Sequence, residues 1–442
     1  MDTILNFLPI ISLLIPGGGI LSIILFIIRF RNANPYKRLA FSLTDLQYIS
    51  TNKKTLKCLV RNYVPQELTC WNDGNKYSTK RLLSRINNGI KDNIGIFLIL
   101  GGSGIGKSTI MRYIFCKLSK PLFKNFIYIP MRCIGSRIDF ENFIGKYKIG
   151  KYRIREHQTV TLFLDGLDES PLFTSKKMQL KTYIQETFNE IKGICSGFDC
   201  GCLVISARTE IFNSEHLESL TGEGHRLGKV QVFELMKFEE KQIIKTYNHL
   251  EKIKKVEQKT TRDKMHYQNA YPDRRKKKKY LKCLKNILKN SKKDGVLDSP
   301  FQYPLFIRYA CPYIENLLEN YNDNTSIPHV HADDFKKAFD EIIRSVLKWD
   351  YRIFFEASSG DKKGKIFNSF VMVMRNFILD VVSVAITQDD LFLISRNLIS
   401  EKLIELNERI IEIGGSLNKK FKDTIPTPFS LYFCFKFRRG IF

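Results

Sequence analysis

The chain has 442 residues, 43% of them hydrophobic, and a formal net charge of +26. That apolar content excludes a disordered tail, and the length allows roughly two to four folded units. Ten scattered cysteines exclude a disulfide scaffold, while the excess of Lys and Arg points toward anionic partners such as nucleic acid or lipid.

The first segment departs from this soluble composition. Ile4–Ile28 is a run of 25 residues without a charge. About 20 apolar residues cross a bilayer core as a helix. Pro16 and Gly17–Gly19 interrupt the middle of the run and predict a kink. Arg29, Arg31, Lys37 and Arg38 follow at once. By the positive-inside rule they hold the C-terminal flank in the cytoplasm and put the N-terminus outside. A cleaved export signal competes with this reading, but no basic segment precedes the run and no clear small-x-small site follows it. A buried core helix is the other competitor, and the basic stop after an N-terminal run favours the membrane over it. Residues 1–30 therefore read as a single-pass membrane anchor.

Residues 31–93 are polar and mixed, and RNYVPQEL and TKRLLSRI predict short helices leading into the next domain. IGIFLIL, Ile94–Leu100, suits a strand buried on both faces. A Gly-rich loop and a helix over Thr109–Leu118 follow, and Lys120-Pro121 stops the helix. Phe126–Pro130, Thr159–Leu164 and Cys202–Ser206 are further buried strands, with helical patterns such as Met178–Ile194 between them. This alternation predicts a doubly wound α/β domain with a parallel sheet over residues 94–236.

After Lys237 the strand patterns stop. Phe238–Leu250, Tyr280–Leu288, Leu305–Glu319 and Asp334–Lys348 predict a helical subdomain over residues 237–350. Within it lies a basic insertion, Glu251–Asp294, with RRKKKK at Arg274–Lys279. Such runs usually face solvent. Anionic lipid is the second reading, because the anchor holds this segment near a membrane. Nucleic acid is the third, with no base-reading module to support it. In residues 351–442, Phe367–Val384 is apolar but broken by Arg375 and Asp380, which suits a core helix better than a second span. FSLYFCFKF then places Phe429, Leu431, Phe433, Phe435 and Phe437 on one face of a strand. Cys195, Cys200 and Cys202 lack paired CxxC spacing and a nearby histidine, so they read as reduced thiols rather than zinc ligands.

The chemistry concentrates in two motifs. GGSGIGKST comprises Gly101, Gly102, Ser103, Gly104, Ile105, Gly106, Lys107, Ser108 and Thr109, and it fits G-x-x-x-x-G-K-[ST] between a predicted strand and a predicted helix. Glycines let backbone N–H groups turn inward around an anion, and the helix that begins here adds its dipole. Lys107 reaches β- and γ-phosphates, and the Ser108 hydroxyl is a hard ligand for Mg²⁺. In TVTLFLDGLDES, an apolar strand delivers Asp165 at its C-terminal end to hold Mg²⁺ directly or through water. Asp168 or Glu169 then orients or deprotonates the attacking water. CLVISART ends a third strand with Ser206 and Arg208 at the same sheet edge, and Arg208 is a candidate γ-phosphate sensor.

Together these motifs resemble the NACHT branch of the STAND nucleoside triphosphatases, signalling ATPases of innate immunity and bacterial antiphage defence. DGLDE is similar to that branch's acidic pattern, FIYIPMRC to its intervening strand, and ISARTEIF to its sensor strand, usually written T-S-R-P. VFELMKFEEKQI resembles the opening of the helical subdomain, and FDEIIRSVLKWD a helix of the following arm. PLFIRYA resembles the nucleotide-contacting proline motif, which maps to Pro304. The resemblance covers Asn93–Asp350. It implies ATP with Mg²⁺ as ligands, slow switch-type hydrolysis, self-association on activation and a truncated winged-helix-like region over residues 351–442. A C-terminal repeat sensor, usual in the family, is not visible, and the basic insertion is a second departure. The alternative from another class is a membrane scaffold or P-loop motor. An LSGGQ-like signature and an NKxD motif are both absent, which disfavours an ABC ATPase and a GTPase.

Overall fold

The computed structural model describes residues 34–45, 53–91, 95–102, 104–119, 125–134, 160–167, 200–209, 230–260 and 302–304, with short pieces elsewhere. The run Ile4–Ile28, the helical pattern Met178–Ile194, RRKKKK and the FSLYFCFKF strand lie outside the described residues. Among the described residues, no helix is long and apolar enough to cross a membrane.

The apolar runs become the centre of a seven-stranded sheet of order β2-β1-β7-β3-β6-β5-β4. Its strands are β1 (Glu67–Cys70), β2 (Lys76–Ser78), β3 (Ile96–Leu100), β4 (Asn125–Pro130), β5 (Val160–Asp165), β6 (Cys200–Ala207) and β7 (Val230–Leu235). Every residue of β3 and β5 is buried, as strands covered on both faces require. The five strands from β7 to β4 pair in parallel. β1 and β2 add an antiparallel hairpin at the β7 edge, so the sheet is mixed rather than purely parallel.

Two sequence expectations are corrected here. RNYVPQEL is not a helix. The helix α2 (Lys53–Arg61) ends on its first residue, and Glu67 already opens β1. Pro65 accounts for this, because proline disfavours helical backbone at the residue before it and donates no N–H. The second correction is β7, which sequence patterning left unassigned inside the segment opening the helical subdomain. Its burial alternates, with Val230, Val232, Phe233 and Leu235 inside. TKRLLSRI does form a helix, within α3 (Thr79–Lys91).

Helix α4 (Lys107–Leu118) follows β3 and buries Ile110, Met111, Ile114, Phe115 and Leu118 along one stripe. Phe115 meets Phe126 and Tyr128 of β4 and Phe163 of β5 edge-on, at centroid distances of 6.3, 5.6 and 5.3 Å. Burying each such ring stabilises the fold by roughly 1.5–3 kcal/mol. This cluster packs the C-terminal half of α4 against the sheet. Helices α1 (Pro35–Asp45), α2 and α5 (Glu240–Thr260) extend the same core through Leu39, Leu43, Leu56, Val60, Tyr247 and Leu250. A separate antiparallel pair, β8 (Phe355–Ala357) with β9 (Gly415–Leu417), lies in the C-terminal region.

Candidate nucleotide-binding site

The sheet order decides which residues can meet. β6 lies between β3 and β5, so the C-terminal ends of the three strands stand side by side. Leu100 pairs with Ala207, which puts Gly101 and Arg208 level as the chain leaves β3 and β6. Leu164 pairs with Ile205, which puts Asp165 level with Ser206. Open α/β sheets bind ligands at this edge.

The loop from Gly101 to Gly106 needs its glycines. A Cβ on Gly101 would lie 2.7 Å from Ile105 Cγ2 and 3.3 Å from Leu235 Cβ, so any side chain there collides with the loop itself. Gly104 and Gly106 take φ values of 75° and 106°, which L-residues with a Cβ rarely adopt. Gly106 caps α4 without a side-chain hydrogen bond, and its carbonyl accepts from the Thr109 and Ile110 amides at 3.0 Å. Lys107 Nζ donates to the carbonyls of Gly101 at 2.7 Å and Gly102 at 3.1 Å, so the ammonium folds back over the loop. Ser108 stands half-buried on the first turn of α4, and Thr109 is exposed.

Asp165 is buried, and both its oxygens accept hydroxyl hydrogen bonds. Tyr128 Oη donates to Oδ2 at 2.6 Å and Ser206 Oγ donates to Oδ1 at 2.7 Å. Ser206 Oγ in turn accepts from the Gly166 amide at 2.8 Å. Gly166 has a φ of 73°, so the chain turns sharply after Asp165 and the turn is pinned to the neighbouring strand. Each carboxylate oxygen keeps a further lone pair, so contact with a metal, directly or through water, remains open to it.

The far side of the loop is closed by three segments distant in sequence. Gln66 Nε2 donates to the Ile105 carbonyl at 2.8 Å and to the Met236 carbonyl at 3.4 Å. The Phe238 amide donates to the Gln302 carbonyl at 2.9 Å. A Cβ on Gly106 would sit 3.1 Å from Gln66 Oε1 and 3.7 Å from Pro304 Cγ. The structure thus brings Pro304 beside the loop. Ser103, Asp168 and Glu169 lie outside the described residues. Thr209, next to Arg208, donates to Glu234 Oε1 at 3.2 Å.

Two residues here escaped sequence reasoning. Tyr128 was legible only as an apolar strand residue, although a buried tyrosine needs a partner for its hydroxyl and a strand ending in Asp is near in the chain. Gln66 sat in a segment read as helix. The cysteine reading bears on Cys202, whose thiol is pushed up to about 12 by burial. Such a thiol is a poor metal ligand at neutral pH. No group of metal-ligating side chains occurs among the described residues.

A triphosphate with magnesium fits this set. The loop admits no Cβ at Gly101, which leaves backbone amides to face an anion. Lys107 supplies a cation, and the Ser108 hydroxyl and Asp165 carboxylate are the hard oxygens Mg²⁺ takes. The sheet order, the loop and the acidic strand end together define a P-loop ATPase-like fold.

No protein-family model and no curated protein matches the chain. Solved structures with a related chain path include a mutant of RuvB from Thermotoga maritima, at 15% identity over 62% of this chain and 76% of that one, with a TM-score of 0.31. Another is PCH-2 of C. elegans, at 10% identity over 66% and 72%, with a TM-score of 0.32. A Walker-type ATPase of Pyrococcus abyssi is similar at 11% identity over 76% and 89%, with a TM-score of 0.32. The sheet order and the loop carry the fold assignment without them.

Proposed function

We propose that this chain is a membrane-anchored signalling NTPase that binds ATP with Mg²⁺, hydrolyses it slowly and uses the nucleotide as a switch. One observation carries the nucleotide part: the Lys107 loop stands one strand away from a buried Asp165 held by Tyr128 and Ser206 at the same sheet edge. Loop amides and Lys107 would hold the phosphates, and Ser108 and Asp165 the metal. Magnesium, when bound, supplies charge neutralisation on the phosphate oxygens. Asp168 or Glu169 would orient the water, Arg208 would sense the γ-phosphate, and Pro304 would contact the nucleotide.

The anchor rests on the uncharged run Ile4–Ile28 and its basic C-terminal flank, which put the NTPase domain on the cytoplasmic side. The role in innate immunity or antiphage defence, and self-association on activation, rest on the NACHT-like motifs.

Full-length protein extracted from membranes tests both halves. It should bind Mg·ATP, and Lys107→Ala should abolish binding. It should also pellet with membranes and resist alkaline carbonate. Equal affinity in Lys107→Ala and the parent removes the nucleotide reading, and recovery of intact protein in the soluble fraction removes the anchor.

A further inference from the structure

The segment before β1 carries a buried amide that the nucleotide motifs do not account for. Gln66 is 2% exposed. Its backbone is locked from both sides by Thr79, the first residue of α3. The Gln66 amide donates to Thr79 Oγ1 at 3.2 Å, and Thr79 Oγ1 donates to the Gln66 carbonyl at 2.8 Å. The side chain is therefore aimed by a fixed backbone. It reaches across 39 residues of sequence to donate to the Ile105 carbonyl inside the loop.

That bond constrains more than a carbonyl. The Ile105–Gly106 peptide is planar and trans, so the Ile105 C=O and the Gly106 N–H point in opposite directions. Holding the carbonyl toward Gln66 turns the Gly106 N–H away from it. Gly106 has no Cβ and sits at a φ of 106°, so steric preference would not hold this plane by itself. The same Gln66 nitrogen approaches the Met236 carbonyl at 3.4 Å. The joint between β7 and α5 is stitched to this segment by two further bonds. The Met236 amide donates to the Glu67 carbonyl at 3.0 Å, and Gln242 Nε2 donates to the Pro65 carbonyl at 2.7 Å.

We propose that Gln66 is a positioning residue for phosphate binding: it sets the Ile105–Gly106 peptide plane so that the Gly106 N–H is presented to an anion in the loop, and it ties that plane to the β7–α5 joint. This deepens the nucleotide reading above and rests on it. An amide is the group required. Its N–H₂ can serve Ile105 and Met236 together, which neither a carboxylate nor an apolar side chain can do.

The test uses full-length protein in detergent, with Mg·ATP and with inorganic pyrophosphate as probes. Gln66→Glu keeps the shape and replaces the donor by an acceptor facing the Ile105 carbonyl. Loss of one aligned donor to a charged ligand should weaken both probes by about tenfold to a hundredfold. In protein labelled with ¹⁵N-glycine, at Mg·ATP concentrations that saturate each protein, the Gly106 amide resonance should move less in the variant than in the parent, a signature that weaker binding alone would not produce. Gln66→Met, which removes the donor without adding charge, should behave in the same way. Parental affinity in either folded variant, or loss of folding in both, overturns the proposal. If the parent itself fails to bind, or Lys107→Ala binds as the parent does, the underlying nucleotide reading has failed instead.

Discussion

Among the described residues, two carboxylates accept a phenolic hydroxyl at 2.6 Å, and they live in different surroundings. Asp165 takes Tyr128 at the buried end of β5, between two neighbouring strands. Asp73 takes Tyr77 across the β1–β2 turn, at the outer edge of the sheet, where Arg85 lies 3.7 Å away and water reaches the Asp73 carboxylate. The bonds have the same length, but what each contributes is set by its surroundings. In the interior, a lost partner leaves a polar group that nothing else can satisfy. At the edge, water replaces the partner and the Coulomb attraction is screened. The comparison predicts a graded series of substitutions.

The largest effect belongs to Asp165→Ala. It removes the carboxylate and, in a buried place, takes from the Tyr128 and Ser206 hydroxyls the acceptor to which each donates. At roughly 1–3 kcal/mol for each unsatisfied group, the variant should lose about 2–4 kcal/mol of stability in denaturant unfolding. Its nucleotide binding should also cease to depend on magnesium. A variant with parental stability would show that the interior network contributes less than its burial implies.

Tyr128→Phe probes one arm of that network. The ring and its edge contact with Phe115 remain, and only the hydroxyl is lost. Asp165 keeps Ser206 but loses the constraint on Oδ2. We expect a stability loss of about 1–2 kcal/mol and an increase of about tenfold in the magnesium concentration needed for ATP binding. Magnesium titration at fixed nucleotide checks this. An unchanged requirement would assign Tyr128 to packing alone.

The comparison also explains what the sequence could disclose. Gly101–Ser108 and Asp165 were legible because local geometry dictates them. A tight amide-lined loop needs glycines, and a strand buried on both faces needs an unbroken apolar run. Their meeting across the sheet was legible too, since β3, β5 and β6 each show as short apolar runs. Tyr128 and Gln66 were not, because their roles are made by pairing between segments 37 and 39 residues apart. β7 was missed for a related reason: its six residues are only partly apolar, and its neighbour β3 lies far back in the chain. The hairpin β1–β2 carried a signal that was passed over. WNDG at Trp71–Gly74 is a turn sequence between two short alternating runs.

The smallest effect is expected at that hairpin, from Tyr77→Phe. The Tyr77 hydroxyl, followed by the Asn75 backbone N–H, holds the Asp73 carboxyl at about 2, below its ordinary value of 3.8. A folded-state value depressed in this way contributes stability that is present above the unfolded pKa and is lost as pH falls through the folded one. The window is therefore the interval from about pH 4 down to about pH 2. Removing the hydroxyl should raise the Asp73 value toward 3.8, though not fully, because the Asn75 amide still donates at 2.9 Å. Near neutral pH, where the parent holds this contribution in full, the variant should be slightly the less stable of the two, although the Tyr77 ring keeps its edge contact with Phe233 at 5.5 Å. Below pH 4 the two unfolding curves should converge as the parent loses its own carboxylate interaction. A carbon-detected titration of Asp73 in both proteins measures the shift. A parent value near 3.8 would mean that the short bond does not select the ionised carboxylate, and the contrast with Asp165 would then rest on burial alone.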